Sequence, residues 1–209
     1  MNKEIRSFLF EIKEVDGSQQ GELFVKEARK MVGHAAVFGE ATDICGCFNE
    51  IIEPGAFKSS IKKDDVRALW NHNPDYVLGR NTSGTLKLSE DETGLKVSID
   101  PPDTQFARDL GVSIERGDIN QMSFAFQVLD EEWIKGENKN LDLRKIKKVK
   151  LYDVSPVTFP AYEGTDIAMR SLEEWRKKET EKDKQNEEPP VVIEQNETLL
   201  QRQILTRRN

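Results

Sequence analysis

The chain has 209 residues, 36% of them hydrophobic and 33% charged, with a formal net charge of -7. That supports one core but is lean for the full length, so part of the chain should lie outside it. An acidic chain repels phosphate backbones and no apolar run is long enough to span a bilayer, so neither nucleic acid nor membrane is an expected partner.

Residues 1–28 are polar apart from one apolar patch, Phe8 to Ile12, and read as an N-terminal extension or an edge strand. They carry no signal-peptide apolar region, so the protein is expected to stay in the cytoplasm where it is made. The apolar stretch RKMVGHAAVFG, residues 29–39, reads as a buried strand, and residues 40–50, with Gly46 and Asn49, as a loop. Pro54-Gly55 turns the chain into a short helix, roughly Ala56 to Lys62. Val66 to Trp70 is a short strand that delivers Asn71-His72-Asn73-Pro74, a proline-containing turn at a sheet rim.

The pattern LKLSEDETGLKVSID alternates and turns, so it reads as a β-hairpin. A helix follows from about Gln105 to Arg116, with Asp103 or Thr104 as its N-cap and Phe106, Leu110 and Ile114 at helical spacing. Gln121 to Leu129, Ile146 to Tyr152 and Val154 to Phe159 read as three further strands. From residue 171 the chain is dense in Glu, Lys and Asp and is then broken by Pro189-Pro190. Such a segment buries too little apolar area to offset ordering entropy, so 171–209 should be a charged, flexible tail or a solvated helix. The expected organisation is an extension over 1–28, a domain over 29–170 and that tail. The expected fold is mainly β with α: a closed or nearly closed β-barrel core with surrounding helices.

Two histidines are available as a neutral-pH base, His34 and His72. His34 sits in an apolar stretch and reads as a partly buried strand residue. His72 sits in a polar turn, which on residues alone reads as a surface turn before it reads as a base. Ser123 stands as a lone hydroxyl among Met122, Phe124, Ala125 and Phe126, either a solvent-side alternation residue or a placed nucleophile. Ser155 is its rival, although Pro156 after it suggests a bend. Asp153, inside an apolar strand, is expensive unless paired, with a Lys or Arg or with His72. Cys45 and Cys47 lie too close in sequence for a good disulfide and lack further zinc ligands, so they read as loop residues. No cofactor or metal is expected; P-loop, Rossmann, HExxH and GxSxG motifs are all missing.

The ordered series GHAAVFGEATD, EIIEPGAFKSSI, ALWNHNPDYVLGR, GLKVSIDPPDTQFARDL, INQMSFAFQV and LYDVSPVTFPAYEGT resembles the prohead (capsid maturation) serine proteases of tailed phages, over about residues 29–170. That family is related in fold to the herpesvirus assemblins, which implies the same barrel core with surrounding helices. The resemblance implies His72 as base, Ser123 as nucleophile and Asp153 as the third residue, at a position where many members carry Glu. His34 stands where many members have an aromatic residue, which argues against a second catalytic histidine there. It further implies a serine endopeptidase that cuts the major capsid protein's scaffolding segment and itself, inside the assembling prohead in the host cytoplasm. A homodimer is expected by analogy with the assemblins. The charged, Pro-broken tail is open to proteolysis and reads either as an autocleavage or scaffold-linking segment or as an unrelated solvated tail. The alternative is a non-catalytic scaffold or assembly chaperone that kept the protease fold.

Overall fold

Alternating apolar and polar residues lay down most of the strands. A computed structural model describes residues 3–9, 13–14, 30–137, 140–159 and 165–186. In chain order these form β1 (Glu4–Leu9), β2 (Lys13–Glu14), β3 (Met31–Val37), β4 (Thr42–Ile44), β5 (Phe48–Ile52), α1 (Lys58–Lys63), β6 (Arg67–Trp70) and β7 (Asn73–Arg80). After a 3-10 turn at Asn81–Ser83 come β8 (Leu86–Glu90), β9 (Gly94–Ile99), α2 (Gln105–Glu115), β10 (Gln121–Ile134), β11 (Asp142–Val157) and α3 (Thr165–Asn186).

The protein is mainly β, but the expected barrel is not what the strands build. They form a seven-stranded sheet, ordered β1-β10-β11-β5-β4 with β6 and β7 added beside β11, and a four-stranded sheet ordered β2-β3-β9-β8. A barrel requires the outermost strands to pair with each other. Here β1, β4 and β7 each have a strand neighbour on one side alone among the described residues. Residues from both sheets share one core, including Met31, Ala35, Val97 and Ile99 with Phe124, Phe126, Val149 and Leu151; Leu110 of α2 and Phe57 close it.

Several sequence expectations change here. Residues 40–50 hold a hairpin, β4 with β5, rather than a loop: Cys45 and Gly46 take left-handed φ of 54° and 67°, and Asp43 accepts the Gly46 N–H at 2.5 Å. Ile146–Tyr152 and Val154–Val157 belong to one strand, β11, with Asp153 in line; Thr158 and Phe159 lie beyond its end. Pro74 lies inside β7 rather than in the turn, tolerated because β7 pairs with β6 alone. The N-terminal patch is a strand as far as Leu9; Phe10 to Ile12 lie outside the described residues. The charged segment is helical to Asn186, and residues 187–209 lie outside the described residues. The chain divides into two units between Leu172 and Glu173. Within the first, Ala168 and Leu172 of α3 are fully buried.

Strand β11 is the spine of the larger sheet. Along one edge its start pairs parallel with β5 and its end pairs parallel with β6. Between those stretches α1 and its approach take over: Val149 N–H donates to the Ala56 carbonyl at 3.1 Å and Leu151 N–H to Ser60 Oγ at 2.7 Å. The exposed backbone donors of a changing strand edge are thereby satisfied.

One inward face carries charge. Arg6 and Arg144 are each 1% exposed, alongside Glu4 at 1% and Glu50 at 3%. Arg6 grips Glu50 with Nε at 2.6 Å and Nη2 at 3.1 Å, and reaches Glu4 at 2.8 Å. Arg144 meets Glu4 and Glu50 at 2.9 Å each and Glu131 at 2.6 Å. Burial disfavours the Arg144 charge, yet the bond and charge of Glu4 with the charges of Glu50 and Glu131 more than offset it and hold the guanidinium firmly protonated. Breaking such a cluster leaves uncompensated buried charge. Arg144→Met should therefore lower unfolding free energy by about 3–5 kcal/mol. Urea denaturation, with the exposed Leu129→Ser as control, reads the difference.

Candidate active site

Strand register brings the polar residues together. β10 and β11 run antiparallel with Ser123 opposite Ser155 and Ala125 opposite Asp153. A register shift follows between Ala125 and Phe126, and such irregularities re-aim side chains next to them. The even-numbered neighbours Phe124 and Val154 belong to the core, so Ser123, Ala125, Asp153 and Ser155 occupy the other face. β6 pairs with the same part of β11, Arg67 opposite Asp153 and Ala68 opposite Val154.

The β6–β7 connection then delivers His72. Trp70 pairs with Asn73, leaving Asn71 and His72 as a two-residue turn with φ of 54° and 56°. Two successive left-handed residues define the hairpin turn that matches strand twist, and Asn favours it. Neither residue is glycine, so the conformation is held by its surroundings. Asn71 N–H donates to the Pro156 carbonyl at 3.0 Å, and its Oδ1 accepts the Thr158 N–H at 2.8 Å. The turn is thus pinned to the end of β11.

His72 Nε2 lies 2.7 Å from Ser123 Oγ and Nδ1 lies 2.5 Å from Asp153 Oδ1. A carboxylate only accepts, so Nδ1 carries the proton and Nε2 is free to accept. Ser155 Oγ donates to the same Asp153 oxygen at 2.9 Å, and Lys3 Nζ reaches Oδ2 at 3.2 Å. Asp153 thus contacts both a lysine and His72, which its sequence context left as alternatives. Burial pushes the Asp153 carboxyl up, but the bond and charge of His72, then Lys3, then Ser155, outweigh it and hold the group below its ordinary 3.8.

His34 is not part of this cluster. Its Nε2 meets the two Asp91 oxygens at 2.8 and 2.9 Å at the β8–β9 turn. Cys45 and Cys47 are free thiols in the β4–β5 turn. Among the described residues, no group of three or more His, Cys, Asp or Glu could hold a metal ion. None of their helices is long and apolar enough to cross a membrane. Lys3, the Arg6 carbonyl and the Ser155 hydroxyl are site contacts that the sequence did not reveal. Lys3 immediately precedes β1 and Arg6 lies on it, more than a hundred residues from Ser123, and no local pattern announces that pairing.

The model of the caudovirus prohead serine protease family matches residues 13–178. The chain belongs to that family, which places it at the family level among serine proteases of capsid maturation. No curated protein and no solved structure matches it.

A carboxylate depressed on folding stabilises above its unfolded pKa, and that contribution disappears as pH falls through the folded value. The stability gap between wild type and Asp153→Asn should therefore be full above the ordinary value of 3.8 and narrow as pH drops below it. Denaturation series across acidic pH provide the check.

Proposed function

We propose that this protein is a serine endopeptidase that cleaves the scaffolding segment of its capsid protein, and itself, as the prohead matures in the host cytoplasm. The observation that carries this reading is the hydrogen-bonded run Asp153–His72–Ser123 in a chain of the prohead protease family. His72 Nε2 takes the Ser123 proton as Oγ attacks the scissile carbonyl. Asp153 keeps the ring in the tautomer that accepts at Nε2 and stabilises the imidazolium that forms. The proton passes from Nε2 to the leaving amine, and water then hydrolyses the acyl-enzyme by the same base. Ser155 is the weaker nucleophile, because its hydroxyl donates to Asp153 whereas Ser123 is the serine bonded to His72.

The charged segment from residue 171 fits a tail removed by autocleavage or linked to the scaffold. Self-association as a homodimer belongs to the same reading; activity that survives dilution to monomer would remove it.

Co-expression with the capsid protein, followed by mass spectrometry of both chains, tests the proposal. Wild type should give defined cuts. Ser123→Ala and His72→Ala should abolish them, and Asp153→Asn should slow them by about 10⁴-fold. Ser155→Ala should still cleave. Intact chains with wild type, while shells assemble, would replace this reading with a non-catalytic scaffold. Cleavage surviving Ser123→Ala would move the nucleophile elsewhere.

A further inference from the structure

Ser123 is 0% exposed, yet a nucleophile must meet a carbonyl brought from outside. Strand β1 lies beside it. Ser7 is paired with Ser123, and the Arg6 carbonyl oxygen accepts from Ser123 Oγ at 2.8 Å. A hydroxyl has one proton to give, and both of its neighbours are acceptors: the Arg6 carbonyl always, and His72 Nε2 whenever Nδ1 donates to Asp153. They compete for that proton. The protein's own main chain therefore presents a carbonyl where a substrate carbonyl must come.

The side chain that accompanies this carbonyl is also held as a ligand would be. The Arg6 guanidinium is bidentate to Glu50, the geometry that makes Arg–carboxylate recognition specific. Glu50 sits on β5, an element separate from both β1 and β10, so the acidic partner belongs to the body of the fold.

We propose that β1 occupies the place of the substrate: an extended peptide segment adds to β10 in its stead, with an Arg or Lys at the Arg6 position read by Glu50 and that residue's carbonyl beside Ser123. This rests on the serine endopeptidase reading. Main-chain pairing at a strand edge supplies affinity and a side-chain pocket supplies selectivity. The charges permit the exchange. Glu4 and Arg6 leave with β1 as a neutral pair, while Arg144 keeps Glu50 at 2.9 Å and Glu131 at 2.6 Å. The remaining trio of one arginine and two glutamates has a formal charge of -1, which an arriving basic side chain neutralises. Lys3 leaves Asp153 with His72 and Ser155 still bonded to it. Departure of β1 thus strands no lone buried charge, and the resting enzyme is held back by its own N-terminal strand.

The test is a reversible clamp in the full-length chain. Phe8 and Met122 are register partners on β1 and β10. Opposed residues of an antiparallel pair lie about 4.5–5.5 Å apart at Cα, within the disulfide range of about 4.4–6.8 Å. Phe8→Cys with Met122→Cys is made in a Cys45→Ser, Cys47→Ser background, and Ser123 is probed with a fluorophosphonate reagent read by mass spectrometry. The reduced form should label, the oxidised form should lose labelling, and reductant should restore it in the same sample. Cuts in the capsid protein should follow Arg or Lys. Equal labelling of oxidised and reduced forms would overturn the exchange of strands. Cuts that follow other residues would overturn the role given to Glu50. If wild type leaves Ser123 unlabelled and the capsid protein uncut, the endopeptidase reading itself falls and takes this inference with it.

Discussion

The pairing of β10 with β11 is the constraint on which the site depends. It fixes Ser123 opposite Ser155 and Ala125 opposite Asp153, so the Ser123 hydroxyl and the Asp153 carboxylate share one face two residues apart in register. A slip of one residue would turn Ser123 into the core and Phe124 out of it. Phe124 is fully buried and packs edge-on to Phe57 at 5.5 Å, so the core penalises that slip heavily. Positioning the hydroxyl is therefore a by-product of burying the phenylalanine. β6, registered on the same part of β11, extends the logic to the histidine. One strand, through its two neighbours, sets the whole arrangement.

The buried charges act on a second level. Four strands contribute to them: β1 with Glu4 and Arg6, β5 with Glu50, β10 with Glu131 and β11 with Arg144. Such a network seldom adds net stability over apolar packing, because desolvation cancels much of the attraction. What it does supply is strict matching, since a misplaced strand would leave a guanidinium or carboxylate unpaired. The odd count, two arginines to three glutamates, is eased at Glu131, whose side chain is 22% exposed. The fully enclosed part, Glu4, Arg6, Glu50 and Arg144, is balanced.

Much of this was legible in the sequence, and the failures have physical causes. Helix α2 and the β8–β9 hairpin carry their own periodicity and turn residues, and they stand close to where those signals put them. The β4–β5 hairpin escaped notice because three-residue and five-residue strands carry too little alternation, and buried Glu50 breaks what there is. Asp153 split β11 in two on paper, since a carboxylate in an apolar strand reads as an interruption until its partners are seen. The barrel was inferred from a run of many short strands, but strand order and closure are not written in local pattern. Lys3 and Arg6 are the deepest omission. Their meaning depends on which distant strand β1 joins, and a polar N-terminus reads as an extension until that pairing is known.

His72 shows how the larger sheet holds a strained residue in place. A non-glycine residue at φ 56° costs roughly 1–2 kcal/mol relative to ordinary backbone. Asn71, equally left-handed, offsets part of this through its bonds to Pro156, near the end of β11, and to Thr158, just past it. The turn is thereby tied to the strand that carries Asp153 and Ser155, not merely to its own hairpin. The ring is met at both nitrogens, at 2.5 and 2.7 Å, so its orientation is set by β11 on one side and β10 on the other. A histidine in an unconstrained surface turn would sample several rotamers and lose entropy on reaching any one of them. Here that loss occurs on folding, and the ring stands oriented toward Asp153 and Ser123 in the folded chain.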